Sequence, residues 1–241
     1  MLQIQDLGEL DYREALRLQE RLVAERKSGL IEDQLVFVEH PHVLTQGRNA
    51  HIENVLASPE VLESTGISLY ETNRGGDVTY HGPGQVVGYP ILDLTGYKRD
   101  VRWYVQSIEN AIIGTLAEYG IHGEHVDGLT GVWTTADGRQ SKIAAIGVHI
   151  SRWVTSHGFA LNVETDLTYF QYIVPCGLTK PVTSLRALGV NTSRQEVIAK
   201  LSRHFLKIFD RESLNYGHSD AADGREHRRR NVDEVAEEAR R

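Results

Sequence analysis

The apolar residues of this chain alternate between helical and strand-like spacing along most of its length. Helical spacing occupies residues 11–29, 101–120 and 193–208, and strand-like apolar runs lie at 35–38, 85–94, 131–134, 143–150 and 158–163. Alternation of this kind predicts a sheet packed by helices. No repeat, low-complexity tract or linker interrupts the pattern. We therefore expect one α/β domain of α+β character.

Local signals place the ends of several elements. Asp11 can cap the first helix, and Gly29 can end it. Asp137-Gly138 is typical of a hairpin turn between two strands. Ser193 and Glu196 have the spacing of a capping box at the start of the last helix. Pro90, inside the run at 85–94, predicts an edge strand or a bend.

The composition excludes several classes of protein. The 241 residues are 40% apolar and 24% charged, with a net charge of −7, which is globular composition and argues against general nucleic-acid binding. No run approaches the roughly 18 apolar residues of a membrane span, and no export signal is visible. One cysteine, Cys176, excludes a disulfide framework and a zinc site of several thiolates. We expect a cytoplasmic protein that acts away from membranes.

Apolar residues become scarce near the C-terminus. From Glu212 to Arg241 the chain is dominated by charged residues, and such a segment cannot bury enough apolar surface to offset the entropy of ordering. We expect a catalytic or binding domain over residues 1–211 and a mobile tail or surface helix over 212–241.

Residues 74–85 form the densest special segment, with sequence RGGDVTYHGPGQ. Four glycines in twelve residues allow positive φ angles and close approach of a ligand to the main chain. The segment matches neither phosphate-binding glycine motif. It is either a turn between strands or a ligand-binding loop, in which His81 can orient a ligand by hydrogen bonding.

Cys176 lies between Pro175 and Gly177, which favours an uncrowded turn over a regular strand. A lone cysteine is commonly a small buried apolar residue. As a nucleophile it needs a base or cation beside it, because the thiolate is the reactive form. Lys142 opens an otherwise apolar run and is the candidate base; the alternative is a solvated hairpin lysine.

The eleven histidines invite a metal interpretation. His40 and His42 share a strand face, and His122 and His125 can pair on a helix. No third ligand accompanies either pair, so we expect surface histidines and no metal site.

Four segments together resemble one family, the octanoyl-acyl-carrier-protein:protein octanoyltransferases of lipoate biosynthesis. They are HPHVLTQGR at 40–48, RGGDVTYHGPGQVVGY at 74–89, KIAAIG at 142–147 with HGFALN at 157–162, and IVPCG at 173–177. Their order matches as well, and the resemblance spans roughly residues 3–210.

The resemblance implies a single domain similar to the catalytic domain of biotin and lipoate protein ligases, with a mixed sheet packed by helices. It implies an acyl-enzyme on Cys176, with Lys142 as its acid/base partner and no cofactor. It also implies fourteen substrate-binding residues: Arg74, Gly75, Gly76, Asp77, Val78, Thr79, Tyr80, His81, Ala145, Ile146, Gly147, Gly158, Phe159 and Ala160. At Asp77 and Val78 we expect side-chain identity to matter little, because the contact is through the backbone.

The activity implied is transfer of an octanoyl or lipoyl group from acyl carrier protein to a lysine of a lipoyl domain. The acceptors implied are the E2 subunits of 2-oxoacid dehydrogenases and the glycine cleavage H protein. Backbone N–H groups around Cys176 and Lys142 are expected to hold the oxyanion. Three alternatives stay open: an ATP-dependent lipoate–protein ligase, an amidotransferase between lipoyl domains, and a non-catalytic binding module.

Overall fold

A computed structural model describes residues 1–136, 138–174 and 180–209. The strands are β1 (Leu2–Glu9), β2 (Asp33–Glu39), β3 (Val43–Gln46), β4 (Ser68–Glu71), β5 (Val78–His81), β6 (Gln85–Ile91), β7 (Gly123–Val126), β8 (Leu129–Ala136), β9 (Arg139–Ser151) and β10 (Val154–Asn162). The helices are α1 (Tyr12–Lys27), α2 (Pro59–Ser64), α3 (Val101–Ala117) and α4 (Arg194–Phe209). Cys176 and the predicted tail at 212–241 lie outside the described residues.

Two mixed sheets organise the described part of the chain. The larger has seven strands in the order β1-β2-β6-β10-β9-β8-β7, with β1 and β2 parallel and the other neighbours antiparallel. The smaller has the order β4-β3-β5. The mixed sheet with helices confirms the predicted α/β class.

Strand alternation sends the side chains of the large sheet to two cores. Leu35 and Phe37 of β2 belong to the cluster that includes residues of α3 and α4, and Val36 and Val38 belong to the cluster that includes residues of α1. Successive side chains of a strand point to opposite faces, so the sheet is covered on both sides. The continuous apolar run at 35–38 is the signature of such burial.

The predicted helix ends are confirmed. The Asp11 carboxylate accepts from the amides of Arg13 and Glu14, and the Ser193 hydroxyl accepts from the Glu196 amide at 3.2 Å. These contacts satisfy amide groups that have no partner inside the helix. Gly120, with φ of 73°, follows the end of α3.

Pro90 predicts an edge strand or a bend, and of these two the edge strand is wrong. β6 is the third strand of seven. The ladder between β6 and β10 ends at the pair Gly88–Phe159, two residues before Pro90. The missing amide of proline therefore removes no hydrogen bond from that ladder, and a proline is tolerated inside the sheet.

None of the helices in the described ranges has the length and apolar character needed to cross a bilayer.

Candidate active site

A cavity lies between the large sheet, α1 and the glycine-rich segment at 74–85. Its lining includes eleven residues singled out from the sequence: Arg74, Gly76, Thr79, His81, Lys142, Ala145, Ile146, Gly147, Gly158, Phe159 and Ala160. It also includes Tyr12, Val87, Tyr89 and His157, which the sequence did not single out. The fold thus brings segments more than 60 residues apart in sequence to one place.

The alternation of β5 explains which residues of the glycine-rich segment reach the cavity. Thr79 and His81 line it. Val78 and Tyr80 point the other way, into the apolar cluster under the small sheet, where the Tyr80 hydroxyl meets His42 Nδ1 at 2.8 Å. Val78 and Tyr80 were predicted to bind substrate, but they do not line the cavity.

Glycines let the 74–76 loop touch strand β9. The Gly75 amide donates to the Val148 carbonyl at 2.8 Å. A Cβ on Gly147 would lie 2.9 Å from the Gly75 carbonyl oxygen and 3.1 Å from Arg74 Cδ. Any larger residue at 147 would push the loop away, because real Cβ atoms do not approach a carbonyl oxygen so closely. Gly75 itself does not line the cavity; its contact is with the main chain of β9.

The Asp77 side chain, whose identity the sequence predicts to matter little for substrate contact, has several hydrogen-bond partners within the fold. Its carboxylate is buried and accepts from the amides of His51, at 3.1 Å, and Val78, at 2.7 Å. It also accepts from the side-chain amide of Asn54. The backbone carbonyl of Asn54 in turn accepts from the Val174 amide at 2.8 Å. Asp77 therefore orders the loop at residues 51–54. Val174, two residues before Cys176, is hydrogen-bonded to that loop.

We expect Asp77→Asn to lower the free energy of unfolding by about 1–3 kcal/mol, the cost of an unsatisfied buried polar group. The new amide would face the amide of Asn54, so two donors would meet. The double variant Asn54→Asp/Asp77→Asn reverses the polarity of this contact and should recover most of the loss. Urea unfolding of the three proteins measures it, and equal stability of the single and double variants would contradict the role given to Asp77.

A β-bulge aims Lys142 into the cavity. β8 pairs Trp133 with Lys142 but Val132 with Ala144, so β9 carries one extra residue, Ile143. The insertion changes the alternation of the strand. Lys142 consequently lines the same cavity as Ala145 and Gly147, and Ile143 is buried in the core. The side chain of Lys142 is only 7% exposed, which excludes the alternative of a solvated hairpin lysine.

Lys142 also anchors the chain that follows Cys176. The Lys142 amide donates to the Pro181 carbonyl, and the Thr183 amide donates to the Lys142 carbonyl, each at 2.9 Å. The chain therefore returns to Lys142 five residues after Cys176. Because the backbone amide of Lys142 is already bonded to the Pro181 carbonyl, an oxyanion needs a donor other than this amide.

Arg74 places a buried positive charge beside neutral imidazoles. Its guanidinium donates to the Thr45 hydroxyl, at 2.9 Å from Nη2. Burial and the neighbouring charges of His40 and Arg74 lower the pKa of His81 to about 3. Burial, followed by the charge of Arg74, lowers the pKa of His157 to about 4. Both rings are therefore uncharged at neutral pH, which suits a cavity for an apolar group.

A hydrogen-bonded network fixes the orientation of His81. Gln85 Nε2 donates to Asn162 Oδ1 at 2.9 Å and to the Tyr80 carbonyl at 3.3 Å. Gln85 Oε1 is left to accept from His81 Nδ1 at 2.8 Å. Asn162 Nδ2 donates to the Thr183 carbonyl at 3.0 Å. The network thus connects His81 to the segment that pairs with Lys142.

The expectation of surface histidines is wrong for His40, which is fully buried. Its Nδ1 donates to the Leu10 carbonyl, and its Nε2 accepts from the Tyr89 hydroxyl, each at 2.7 Å. His40 supports the wall that Tyr12 and Tyr89 form. In the described ranges, no three histidine, cysteine or carboxylate side chains group as metal ligands.

Sequence reasoning missed Tyr12, Val87, Tyr89 and His157. His157 has a φ of 55° inside a strand, and its amide donates to Gln19 Oε1 at 2.8 Å instead of to a ladder. The glycine that follows His157 is the one signal in the sequence for this place, because a glycine inside a strand often marks close approach of another main chain. The structure shows that approach, since a Cβ on Gly158 would lie 2.1 Å from the Gly88 carbonyl oxygen. No local pattern distinguishes Tyr12 or Tyr89 from core tyrosines.

Residues 11–206 match the family model of the lipoyl protein ligase A/B catalytic domain. An octanoyltransferase from Solibacter usitatus is 62% identical over 88% of this chain and 94% of its own length. An octanoyltransferase from Koribacter versatilis is 52% identical over 89% of this chain and 86% of its own length.

Solved structures with the same fold have much lower identity. One belongs to an archaeal lipoylation system of Thermoplasma acidophilum, a bi-partite lipoate protein ligase and its E2 lipoyl domain; it has a TM-score of 0.69 at 18% identity and covers 91% of this chain and 92% of that chain. A biotin protein ligase from Aquifex aeolicus with biotin and ATP has a TM-score of 0.51 at 14% identity, covering 86% of this chain and 69% of that one. Both show the predicted fold relationship.

Proposed function

Because the chain belongs to the lipoyl protein ligase A/B catalytic domain family, we propose that it is an octanoyltransferase of lipoate biosynthesis. It takes an octanoyl group from acyl carrier protein and transfers it to a lysine of a lipoyl domain. The identity with curated octanoyltransferases supports this activity. The structural observation that carries it is the buried Lys142, aimed by a bulge into a cavity of mainly apolar and backbone groups.

The first half-reaction forms an acyl-enzyme. Lys142 takes the proton of the Cys176 thiol, and the thiolate attacks the carbonyl carbon of the octanoyl thioester. A new carbon–sulfur bond forms, the bond to pantetheine breaks, and the leaving sulfur takes the proton from Lys142. The donor is already activated, so the reaction needs no ATP and no cofactor. Two contacts support this pairing, because Pro181 and Thr183, which follow Cys176 in the chain, are both hydrogen-bonded to the main chain of Lys142.

The second half-reaction forms the amide. An ε-amine of the acceptor attacks the enzyme thioester, and the sulfur of Cys176 leaves. Lysine amines have a pKa of about 10.4 in water, so a base must take the proton of the attacking nitrogen. Lys142 is that base. The oxyanion is held by backbone amides around Cys176 and by donors other than the Lys142 amide.

The cavity holds the acyl chain. Val87, Phe159 and Ala160 supply apolar surface, and Gly147 and Gly158 line the cavity without side chains that would project into it. His81 and His157 are neutral and add no further charge to a cavity that Arg74 and Lys142 also line.

The donor is octanoyl-acyl carrier protein, and the acceptors are lipoyl domains of 2-oxoacid dehydrogenase E2 subunits and the glycine cleavage H protein. We assign the catalytic domain to residues 1–211 and the charged segment at 212–241 to a tail outside it. A single cysteine that must stay reduced suits the cytoplasm.

The fold shared with a lipoate protein ligase favours one rival, an enzyme that activates a free acid with ATP. An amidotransferase between lipoyl domains is the other. The purified protein should octanoylate an apo-lipoyl domain with octanoyl-acyl carrier protein as donor. It should do so neither with octanoate and ATP nor with an octanoylated H protein, and gel-shift or mass analysis of the domain measures all three. Activity with octanoate and ATP alone would establish the ligase.

A further inference from the structure

Two lysines from separate segments converge on the indole ring of Trp133. Lys142 Nζ lies 4.8 Å from the ring centroid, and Lys180 Nζ lies 5.2 Å from it. Both distances are within the range of cation–π attraction, which is strongest for tryptophan. Trp133 pairs directly with Lys142 across the β8–β9 ladder, so the contact is built into the register of the two strands.

The indole is buried in a way that packing alone does not favour. Trp133 is 1% exposed, and among the described residues its Nε1 has no hydrogen-bond partner. An unsatisfied buried donor is costly, and phenylalanine would fill apolar space at this place without that cost. The π face of an indole attracts a cation more strongly than the ring of phenylalanine does. The contact with the two lysine ammonium groups therefore explains why a tryptophan, and not a phenylalanine, occupies position 133.

The neighbouring main chain leaves room for the lysine stem. Gly131 has a φ of 117°, and a Cβ there would lie 3.5 Å from Lys142 Cε and 2.6 Å from the Ala144 carbonyl oxygen. Lys142 Cε therefore lies beside Gly131, and Lys142 Nζ faces the indole. Contacts with Gly131 and with the indole thus restrict the Lys142 side chain, and a reacting group acts efficiently only when its position is restricted in this way.

Lys180 connects the same ring to the other half of the site. Its ammonium donates to Gln140 Oε1 at 2.5 Å, and it is the first described residue after the segment that carries Cys176. One indole is thus in contact with the proposed base and with the chain that leads away from the proposed nucleophile.

We propose that Trp133 is a positioning residue that aligns Lys142 for acyl transfer. The proposal rests on the function proposed above. When Lys142 accepts a proton, its ammonium faces the negative π surface of the indole, so the ring favours the state in which thiolate and ammonium coexist. Trp133 acts through Lys142 in this role and itself exchanges no proton and forms no bond with the substrate.

The contact itself can be observed without any assay of transfer. The chain has six lysines, so a ¹³C-lysine-labelled protein gives few Cε–Hε signals, which Lys→Arg variants assign. Ring currents should shift the signals of Lys142 and Lys180, and Trp133→Leu should remove both shifts. Lys200, whose Nζ lies 4.7 Å from the Tyr119 ring centroid, is the internal control, and its shift should persist.

Kinetics then test the consequence. Trp133→Leu should lower kcat roughly tenfold, the fold-change that a desolvated cation–π contact corresponds to, with KM unchanged. Trp133→Phe should fall between this variant and the wild type in both ring shift and kcat. If Trp133→Leu does not fold, the test rests on Trp133→Phe alone. Lysine shifts and a kcat equal to those of the wild type in Trp133→Phe would contradict the proposal.

Two failures are distinguishable. An unchanged Lys142 shift in Trp133→Leu, or a lost shift with wild-type kcat, overturns the role of Trp133. A wild-type protein with shifted lysine signals but no octanoyl transfer overturns the proposed function instead.

Discussion

Replacement of Cys176 with serine is expected to abolish the acyl-enzyme and to lower octanoyl transfer by several orders of magnitude. A serine hydroxyl is a much weaker nucleophile than a thiolate, and it lacks a base strong enough to ionise it here. Intact mass spectrometry after incubation with octanoyl-acyl carrier protein measures the first effect. The wild-type protein should gain the mass of one octanoyl group, and Cys176→Ser should gain none.

The single cysteine makes this experiment decisive. Any thioester on the enzyme must be at Cys176, and neutral hydroxylamine, which cleaves thioesters faster than amides, should remove it. A purified acyl-enzyme should also pass its octanoyl group to an apo-lipoyl domain in the absence of carrier protein. Equal acylation of wild type and Cys176→Ser would mean that another residue carries the acyl group.

Substitution of Lys142 is expected to lower kcat by about 10²–10⁴-fold, the usual contribution of a general acid–base residue, with a small change in KM. Lys142→Arg should be as impaired as Lys142→Ala, because a guanidinium keeps its proton and cannot act as a base. Single-turnover measurements should show that both acyl-enzyme formation and transfer to the lipoyl domain are slowed.

Two comparisons separate loss of the base from loss of the fold. Lys200→Ala removes another lysine in contact with an aromatic ring and should retain full activity. Added small primary amines should partly restore Lys142→Ala, since they can occupy the space of the lost ammonium group. Full activity of Lys142→Arg would show that a positive charge, and no proton transfer, is what the site requires.

Much of the architecture could be predicted from local patterns. The helix that starts after Asp11 and the last helix after Ser193 follow from caps and apolar spacing. The strand at 35–38 follows from its uninterrupted apolar run. These predictions succeed because a cap and a buried face are short-range properties that neighbouring residues determine.

The candidate site was predicted less completely. The glycine-rich segment and the Lys142 run were recognisable because glycines and isolated charges stand out in sequence. The roles of Asp77 and His40 were not, because each depends on a partner far away in the chain, Asn54 for Asp77 and Tyr89 for His40. The edge strand predicted from Pro90 is wrong for the same reason, since a proline is tolerated inside the sheet only because the ladder between β6 and β10 ends before it.

The amino-acid sequence by itself determined the fold class, the three long helices, several core strands and the family motifs that contain Cys176 and Lys142. Only the tertiary structure decided where Lys142 points. One inserted residue, Ile143, changes the alternation of β9 and turns the ammonium into the cavity and onto Trp133. A bulge is a property of the pairing between two strands, and no single segment encodes it.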